Sequence, residues 1–290
     1  MNTSFLLRPA LMAALAGLAS CGGGGGSDGP GVTTLQASPA MFGRTTTVSV
    51  QGQNLQGITA SIEPGCTEMT RVAGGTDTQQ SFTCRINWLG DLRVRIRREV
   101  NGAELAALRL DIPLPQVTFN AAQGTGASAS TGSFVVELEP EKAPGTVDNF
   151  LAYVNQSPCF YRNTLFHRVD TAQGVVQAGG FTTNLTTKVD NLRPAIALET
   201  NRGLSNLKGT IGMARGPEHN SATSQFYINT RDNPGFDYIS PSQPGFAVFG
   251  KVISGMADIE RLAAVETAQK GQFPTAPVTE VKITGCGQTK

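Results

Sequence analysis

The chain has 290 residues, a formal net charge of +1 and 39% hydrophobic residues. This length and composition suit one large or two ordinary globular domains. The near-neutral charge gives no electrostatic footprint for nucleic acid, so no nucleic-acid partner is expected. With only two histidines, His167 and His219, the sequence argues against a histidine-based metal site.

Residues 1–20 have the pattern of a secretory signal. Arg8 precedes a short apolar run, residues 10–17, which is too short to span a bilayer comfortably. The following Leu18-Ala19-Ser20-Cys21 resembles a bacterial lipobox, in which the chain is cut before the cysteine and the thiol is acylated. An ordinary secretory signal followed by an unrelated cysteine is the alternative.

Residues 21–32 are rich in glycine, which is typical of a flexible tether. Lipid on Cys21 would anchor the chain, because each buried methylene contributes ~0.8 kcal/mol and more than one acyl chain makes anchoring stable. By resemblance to such lipoproteins, Gly22 in place of an Asp after the cysteine favours the outer membrane. We therefore expect a periplasm-facing lipoprotein of a bacterial cell envelope.

Four further cysteines divide between the two halves of the mature chain. An exported protein meets an oxidising compartment, where disulfides form and persist. Cys66 with Cys84, and Cys159 with Cys286, are therefore candidate disulfides. Free, buried thiols are the alternative.

Residues 33–113 alternate apolar and polar side chains in the manner of β-strands. Val48 and Val50 share one face, and residues 93–97 place arginines on an outer face. The pattern predicts a small antiparallel β-sandwich. Residues 38–55 resemble an immunoglobulin-like module of the IPT/TIG kind, whose expected role is that of a spacer or a partner-binding surface.

Residues 116–287 predict many short strands and two helices. Pro144 suits the first turn of a helix, and a second helix is predicted near residues 256–264. The first helix would bury one face, formed by Val147, Phe150, Leu151 and Val154. Predicted strands cover residues 116–119, 133–138, 165–169, 175–178, 210–214, 225–229, 247–252 and 278–284. This order indicates a closed barrel capped by helices.

Seven different short motifs lie along this module. In chain order they are Lys142-Ala143-Pro144 with Asn149-Phe150, Phe166-His167-Arg168-Val169, Gln177 with Gly179-Gly180-Phe181, Gly212-Met213-Ala214-Arg215, Ser224-Gln225-Phe226-Tyr227-Ile228, Val248-Phe249-Gly250-Lys251-Val252 and Cys286-Gly287-Gln288. Together they resemble the cyclophilin-type peptidyl-prolyl cis-trans isomerases. The resemblance implies a mainly β fold, an eight-stranded barrel with two capping helices, and no cofactor or metal.

Rotation about an X–Pro bond breaks no covalent bond, and its barrier comes from the partial double-bond character of the amide. Twisting leaves a lone pair on the prolyl nitrogen, so a donor aimed there stabilises the twisted state more than the planar one. Arg168 is assigned this role, because a guanidinium stays protonated and holds its donors rigidly. A surface arginine on a strand is the alternative.

The resemblance places further residues at the peptide site. Gln177 would bond the substrate carbonyl or orient Arg168, and Gln225 would hold the substrate backbone. The ring of Tyr227 would line the proline pocket, where the family usually has Phe. The expected rim and pocket-wall residues are Ala214, Arg215, Phe236 and Phe246. Strand alternation turns His167 to the opposite face, which favours a structural role, although relatives place the equivalent histidine near the site.

The turn at residues 170–175 departs from the family pattern. It is one residue longer, and Gly174 or Val175 stands where relatives have the Phe of the pocket floor, which could forfeit ~1–3 kcal/mol of apolar contact. An isomerase acting on proline-containing segments of exported proteins therefore competes with a catalytically weak chaperone or scaffold that binds them. An interaction protein that works through its sandwich is a third hypothesis. The same turn argues against tight binding of a cyclosporin-like ligand.

Overall fold

The computed structural model describes residues 29–66, 68–124, 126 and 129–290. It divides into two compact units, with the boundary between Pro113 and Leu114. The predicted signal, Cys21 and most of the predicted tether lie outside the described residues. Within the described ranges, no helix is both long and apolar enough to cross a membrane.

The N-terminal unit consists of two antiparallel sheets around one hydrophobic core. Its strands are β1 Gly31–Ala37, β2 Thr45–Gln53, β3 Ile58–Glu63, β4 Thr70–Arg71, β5 Gln79–Arg85, β6 Gly90–Arg98 and β7 Glu104–Ile112. The sheet orders are β1-β2-β5-β4 and β3-β6-β7. Val48 and Val50 of β2 are fully buried, as the two-residue alternation predicted. The predicted small sandwich is present, and its immunoglobulin-like type stays a prediction.

Arginines of β6 form ion pairs across the three-stranded sheet. Arg95 and Arg97 each lie 2.8 Å from Glu63, and Arg95 also contacts Glu104. The alternate residues of the strand, such as Val94, are buried. The arginine pattern therefore marks a sheet face on which positive and negative side chains are paired.

The C-terminal unit is a nearly closed, eight-stranded antiparallel barrel with two helices. Its strands are β8 Gln116–Gln123, β9 Ser130–Leu138, β10 Phe166–Asp170, β11 Val175–Ala178, β14 Thr210–Met213, β15 Phe226–Asn229, β16 Val248–Ser254 and β19 Val281–Gln288. They follow the order β10-β11-β15-β14-β16-β9-β8-β19. A bridge between Leu165 and Lys282 joins the two ends. Each predicted strand of this unit overlaps an observed one, so the predicted barrel is confirmed.

Two small hairpins stand outside the barrel sheet and were not predicted. They are β12 Phe181–Thr182 with β13 Thr186–Thr187, and β17 Thr267–Lys270 with β18 Phe273–Pro277. The second hairpin packs against β10. It therefore covers the strand that carries His167 and Arg168.

Helix α1, Pro144–Val154, has proline in its first turn, and α2 covers Met256–Ala263. The predicted apolar face of α1 is buried against an aromatic core that includes Phe119, Phe226 and Phe249. Ala143 at the N-cap offers no side-chain acceptor. The Glu199 carboxylate takes that place and accepts from the backbone N–H groups of Gly145 at 3.2 Å and Thr146 at 2.7 Å.

Both predicted disulfides are present in the structure. Cys66, between β3 and β4, is bonded to Cys84 of β5. Cys159, which follows α1, is bonded to Cys286 of β19. Each unit therefore has one internal cross-link, and the alternative of free, buried thiols does not hold for these four residues.

Candidate active site

One row of side chains crosses four neighbouring strands of the barrel. Arg168 of β10 is opposite Gln177 of β11, which is opposite Tyr227 of β15, which is opposite Gly212 of β14. Directly opposed residues of antiparallel strands project from the same face of a sheet. The row therefore brings the expected donor, one of the expected amides and the expected pocket ring onto a single surface.

A polar chain runs along this row. Arg168 Nη1 donates to Gln177 Oε1 at 3.4 Å, and Gln177 Nε2 donates to Gln225 Oε1 at 3.0 Å. The Arg168 side chain is 32% exposed, so it lies against the barrel and keeps one side open to solvent. This arrangement agrees with the prediction that Arg168, Gln177 and Gln225 share a site.

The end of β10 and the turn after it add two partners to Arg168. Its Nη2 donates to Asp170 Oδ2 at 2.9 Å and to Gln173 Oε1 at 2.8 Å. Burial raises the pKa of Asp170, but hydrogen bonds from the Gln173 backbone and from Arg168 outweigh this effect and leave the pKa below its ordinary value. Neither residue was predicted from the sequence. The signal for Asp170 was its position two residues after Arg168 on the same strand.

Three aromatic rings form a wall beside the polar chain. Tyr227 lies edge-on to Phe236 with ring centroids 6.0 Å apart, and to Phe246 at 5.9 Å. Phe236 and Phe246 contact each other at 5.4 Å, and both are partly buried. Edge-to-face packing stabilises such a cluster and leaves apolar ring surface at its margin. The structure therefore brings the three predicted pocket residues together.

The Tyr227 hydroxyl is engaged within the protein. It donates to Asn206 Oδ1 at 2.6 Å, and the Asn206 side chain donates to Asp237 Oδ1 at 2.8 Å. Burial raises the pKa of Tyr227 well above its ordinary range. A β-carbon on Gly212 would overlap the Tyr227 ring and hydroxyl, so glycine at this position is what admits them. Sequence reasoning missed both Asn206 and Asp237.

Arg215 packs against one ring of the aromatic wall. Its guanidinium carbon lies 4.9 Å from the centre of the Phe246 ring. The same group donates to the Gly245 carbonyl from Nε at 3.1 Å and from Nη2 at 3.0 Å. The Ala214 amide donates to the Gln225 carbonyl at 2.9 Å. Both predicted rim residues therefore adjoin the site, and the Arg215 side chain is held by backbone carbonyls of the protein.

Val175 begins β11 and is buried, on the same strand face as Gln177. It is preceded by Gly174, whose φ of 65° belongs to the left-handed region that favours glycine. A β-carbon on Gly174 would also overlap the Arg231 side chain. The turn at residues 170–175 is therefore tight and depends on glycine.

His167 lies apart from the polar chain. Its ring packs between Phe181, at 4.6 Å between centroids, and Phe273, at 5.7 Å. The register shifts between Phe166 and Arg168, so simple alternation does not hold at His167. Burial lowers the pKa of His167 to about 4. This environment agrees with a structural role, and a contact of His167 with substrate stays a prediction.

The barrel thus carries a donor-bearing polar chain beside a partly open aromatic wall, a surface whose chemistry suits a small apolar ring next to an amide. Residues 125–288 match the family model for the cyclophilin type peptidyl-prolyl cis-trans isomerase/CLD. The chain therefore belongs to the cyclophilin-type peptidyl-prolyl cis-trans isomerases. The expectation of an enzyme of this class, which acts on proline-containing peptides, is confirmed.

Bacterial relatives align with the same part of the chain. Peptidyl-prolyl cis-trans isomerase A of Dickeya dadantii is 41% identical over 156 residues, which are 54% of this chain and 79% of the relative. A peptidyl-prolyl cis-trans isomerase of Acinetobacter baylyi is 42% identical over 52% of this chain and 78% of its own length. Peptidyl-prolyl cis-trans isomerase B of Escherichia coli is 37% identical over 52% of this chain and 91% of its own length.

Proposed function

We propose that this protein isomerises X–Pro bonds of exported proteins at a bacterial cell envelope, and that Arg168 stabilises the twisted amide. The observation that supports it most is the position of Arg168. The guanidinium is tied to Gln177 in the row that leads to Tyr227 and its aromatic wall. A proline ring on that wall would bring its nitrogen towards the donors of Arg168.

In this mechanism the protein moves no proton and forms no covalent intermediate. The wall formed by Tyr227, Phe236 and Phe246 holds the proline ring, and Gln225 holds the substrate backbone. Rotation then turns the carbonyl half of the bond while a hydrogen bond from Arg168 forms to the prolyl nitrogen. Because the nitrogen lone pair becomes available only when the amide twists, this hydrogen bond favours the transition state over either planar isomer.

The proposed location is supported by two kinds of observation. The lipobox-like segment ending at Cys21 suits an acylated, exported protein. The disulfides Cys66–Cys84 and Cys159–Cys286 suit an oxidising compartment such as the periplasm. In an expressing bacterium, a labelled fatty acid should be incorporated into the wild-type chain and not into the Cys21→Ala variant. Labelling of both, or of neither, would contradict the proposed anchor.

The catalytic role of Arg168 is tested with the full chain in a coupled assay on a proline tetrapeptide. Replacing Arg168 by Ala should lower kcat/KM by about 100-fold or more, because one well-placed donor is lost. Arg168→Lys should stay well below the wild type, because an ammonium lacks the rigid fork. Arg109→Ala, which removes an exposed arginine of the N-terminal unit, is the matched control and should leave activity unchanged.

The turn at residues 170–175 keeps open a protein that binds proline peptides without catalysis, so the assay must distinguish catalysis from binding alone. If the wild type binds proline peptides without accelerating their isomerisation, the protein is a binding module and the catalytic proposal is wrong. If it accelerates isomerisation and Arg168→Ala does the same, the reaction proceeds without the donor that we assign. Peptide affinity should therefore be measured in parallel by fluorescence anisotropy.

A further inference from the structure

We propose that Asp170 and Gln173 are positioning residues that hold the Arg168 guanidinium in its working orientation. This inference rests on the proposed function and adds to it a polar clamp formed by the last residue of β10 and the turn after it. The clamp consists of two acceptors on the same nitrogen, Nη2 of Arg168: Asp170 Oδ2 at 2.9 Å and Gln173 Oε1 at 2.8 Å. Gln177 holds the neighbouring nitrogen, Nη1.

These contacts decide which donors remain for a substrate. A guanidinium has five N–H groups: two on each terminal nitrogen and one on Nε. Asp170 and Gln173 both accept from Nη2, and Gln177 accepts from Nη1. Among the contacts of the described residues, Nε and the second hydrogen of Nη1 are left to meet the prolyl nitrogen. The clamp therefore occupies Nη2 and leaves Nε and Nη1 as the available donors.

The clamp is itself held in place by the turn. Asp170 Oδ1 accepts a 2.8 Å hydrogen bond from the Gln173 backbone N–H, so the two acceptors are linked. Gly174 closes the turn with a positive φ, and its carbonyl accepts from the Thr230 backbone N–H at 2.8 Å. Arg231 packs against Gly174 and donates to the Ala172 carbonyl. The Asp170 carboxylate and the backbone of Gln173 are therefore held before any substrate arrives.

Holding Arg168 in advance matters because an unrestrained arginine side chain would lose rotamer freedom on substrate binding, when it must point at one atom. A charge-assisted hydrogen bond to a carboxylate is about twice as strong as a neutral one. The Asp170 side chain is only 15% exposed, so water competes weakly for this contact. The turn at residues 170–175 therefore contributes orientation of Arg168 to the site.

The central test separates the charge of Asp170 from its role in the turn. Asp170→Asn keeps an oxygen for the Gln173 N–H and removes the carboxylate from Arg168. We expect kcat to fall about 10-fold with little change in KM, as for loss of a charge-assisted hydrogen bond. Asp111→Asn, an exposed position in the N-terminal unit, is the matched control and should leave kcat and KM unchanged.

Two further variants distinguish positioning from a purely structural role. Gln173→Glu in the Asp170→Asn background returns a carboxylate to the same Nη2 and should restore most of kcat. In the Arg168→Ala background, Asp170→Asn should cause no further loss, because the group it orients is absent. Lack of rescue, an equal loss without Arg168, or a rise in kcat for Asp170→Asn would each overturn the proposal.

A measurement that does not depend on turnover tests the clamp separately from the proposed enzyme function. Rotation of the Arg168 guanidinium, followed by nitrogen-15 NMR of the terminal groups, should be slow in the wild type and fast in Asp170→Asn. If the wild type shows no isomerase activity, the proposed function is wrong, and this measurement alone decides whether the clamp exists. Fast rotation in the wild type would refute the clamp.

Discussion

The hydroxyl of Tyr227 donates a hydrogen bond to Asn206 Oδ1 at a distance of 2.6 Å, and this contact connects β15 to the segment that precedes β14. Asn206 in turn donates to Asp237 from its backbone N–H and its side chain, both at 2.8 Å. Because Asp237 follows Phe236 directly, the network sets the position of the aromatic wall. A tyrosine at this position therefore provides pocket surface through its ring and loop attachment through its hydroxyl.

Tyr227→Phe should separate these two contributions. The ring remains, so peptide affinity and kcat/KM should change little. The lost hydroxyl removes one buried hydrogen bond, which should lower the free energy of unfolding by about 1 kcal/mol. Urea denaturation followed by far-UV circular dichroism measures this change, with Tyr238→Phe as the control. A large loss of activity at unchanged stability would show that the hydroxyl acts on the substrate.

Glu199→Ala should destabilise the C-terminal unit without altering the peptide site. The carboxylate is 9% exposed and accepts from Gly145 and from both the backbone and the hydroxyl of Thr146. Its removal should lower the free energy of unfolding by about 1–2 kcal/mol, as for loss of a helix N-cap. Glu218→Ala, at an exposed position, is the control. Equal stabilities of the two variants would contradict the capping role.

His167 should make stability depend on pH between about 6.5 and 4. Burial lowers its pKa from 6.5 to about 4, so in this window the unfolded chain binds a proton that the folded chain does not. Stability is therefore complete above pH 6.5 and falls as the pH drops, by about 1.4 kcal/mol per unit and about 3 kcal/mol in all. Below pH 4 both states are protonated, and this contribution changes no further.

The measurement compares urea denaturation at pH 7, 6 and 5 for the wild type and for His167→Phe, which keeps an aromatic ring between Phe181 and Phe273. The variant should lose less stability on acidification than the wild type does. His219→Gln, at an exposed position, should retain the wild-type pH dependence. Parallel curves for the wild type and His167→Phe would show that His167 is not the group responsible.

Removal of the disulfides should affect the two units separately. Cys159 and Cys286 are separated by 127 residues, and Cys66 and Cys84 by 18. Loop-closure entropy predicts that replacing the first pair by Ala costs roughly 4–5 kcal/mol and the second roughly 3 kcal/mol. Trp88, the single tryptophan, reports on the N-terminal unit, and isomerase activity reports on the other. Loss of both signals together in either variant would contradict separate effects.

Local sequence patterns predicted the elements of this fold well. Alternation identified β2 and β6, and the spacing of Val147, Phe150 and Leu151 identified the buried face of α1. These patterns work because one face of each element must be buried, and that requirement repeats every two residues in a strand and every three to four in a helix. The β17–β18 hairpin was not predicted, because its short strands do not alternate regularly between buried and exposed residues.

The sequence by itself determined the mainly β architecture, the two disulfide pairs and the shared surface of Arg168, Gln177 and Tyr227. All of these follow from periodicity, from cysteine placement and from resemblance along the chain. Only the tertiary structure decided which acceptors surround Arg168, what the Tyr227 hydroxyl binds and which carboxylate caps α1. Those contacts depend on turn geometry and strand register, which bring residues such as Tyr227 and Asn206 together although no local pattern links them.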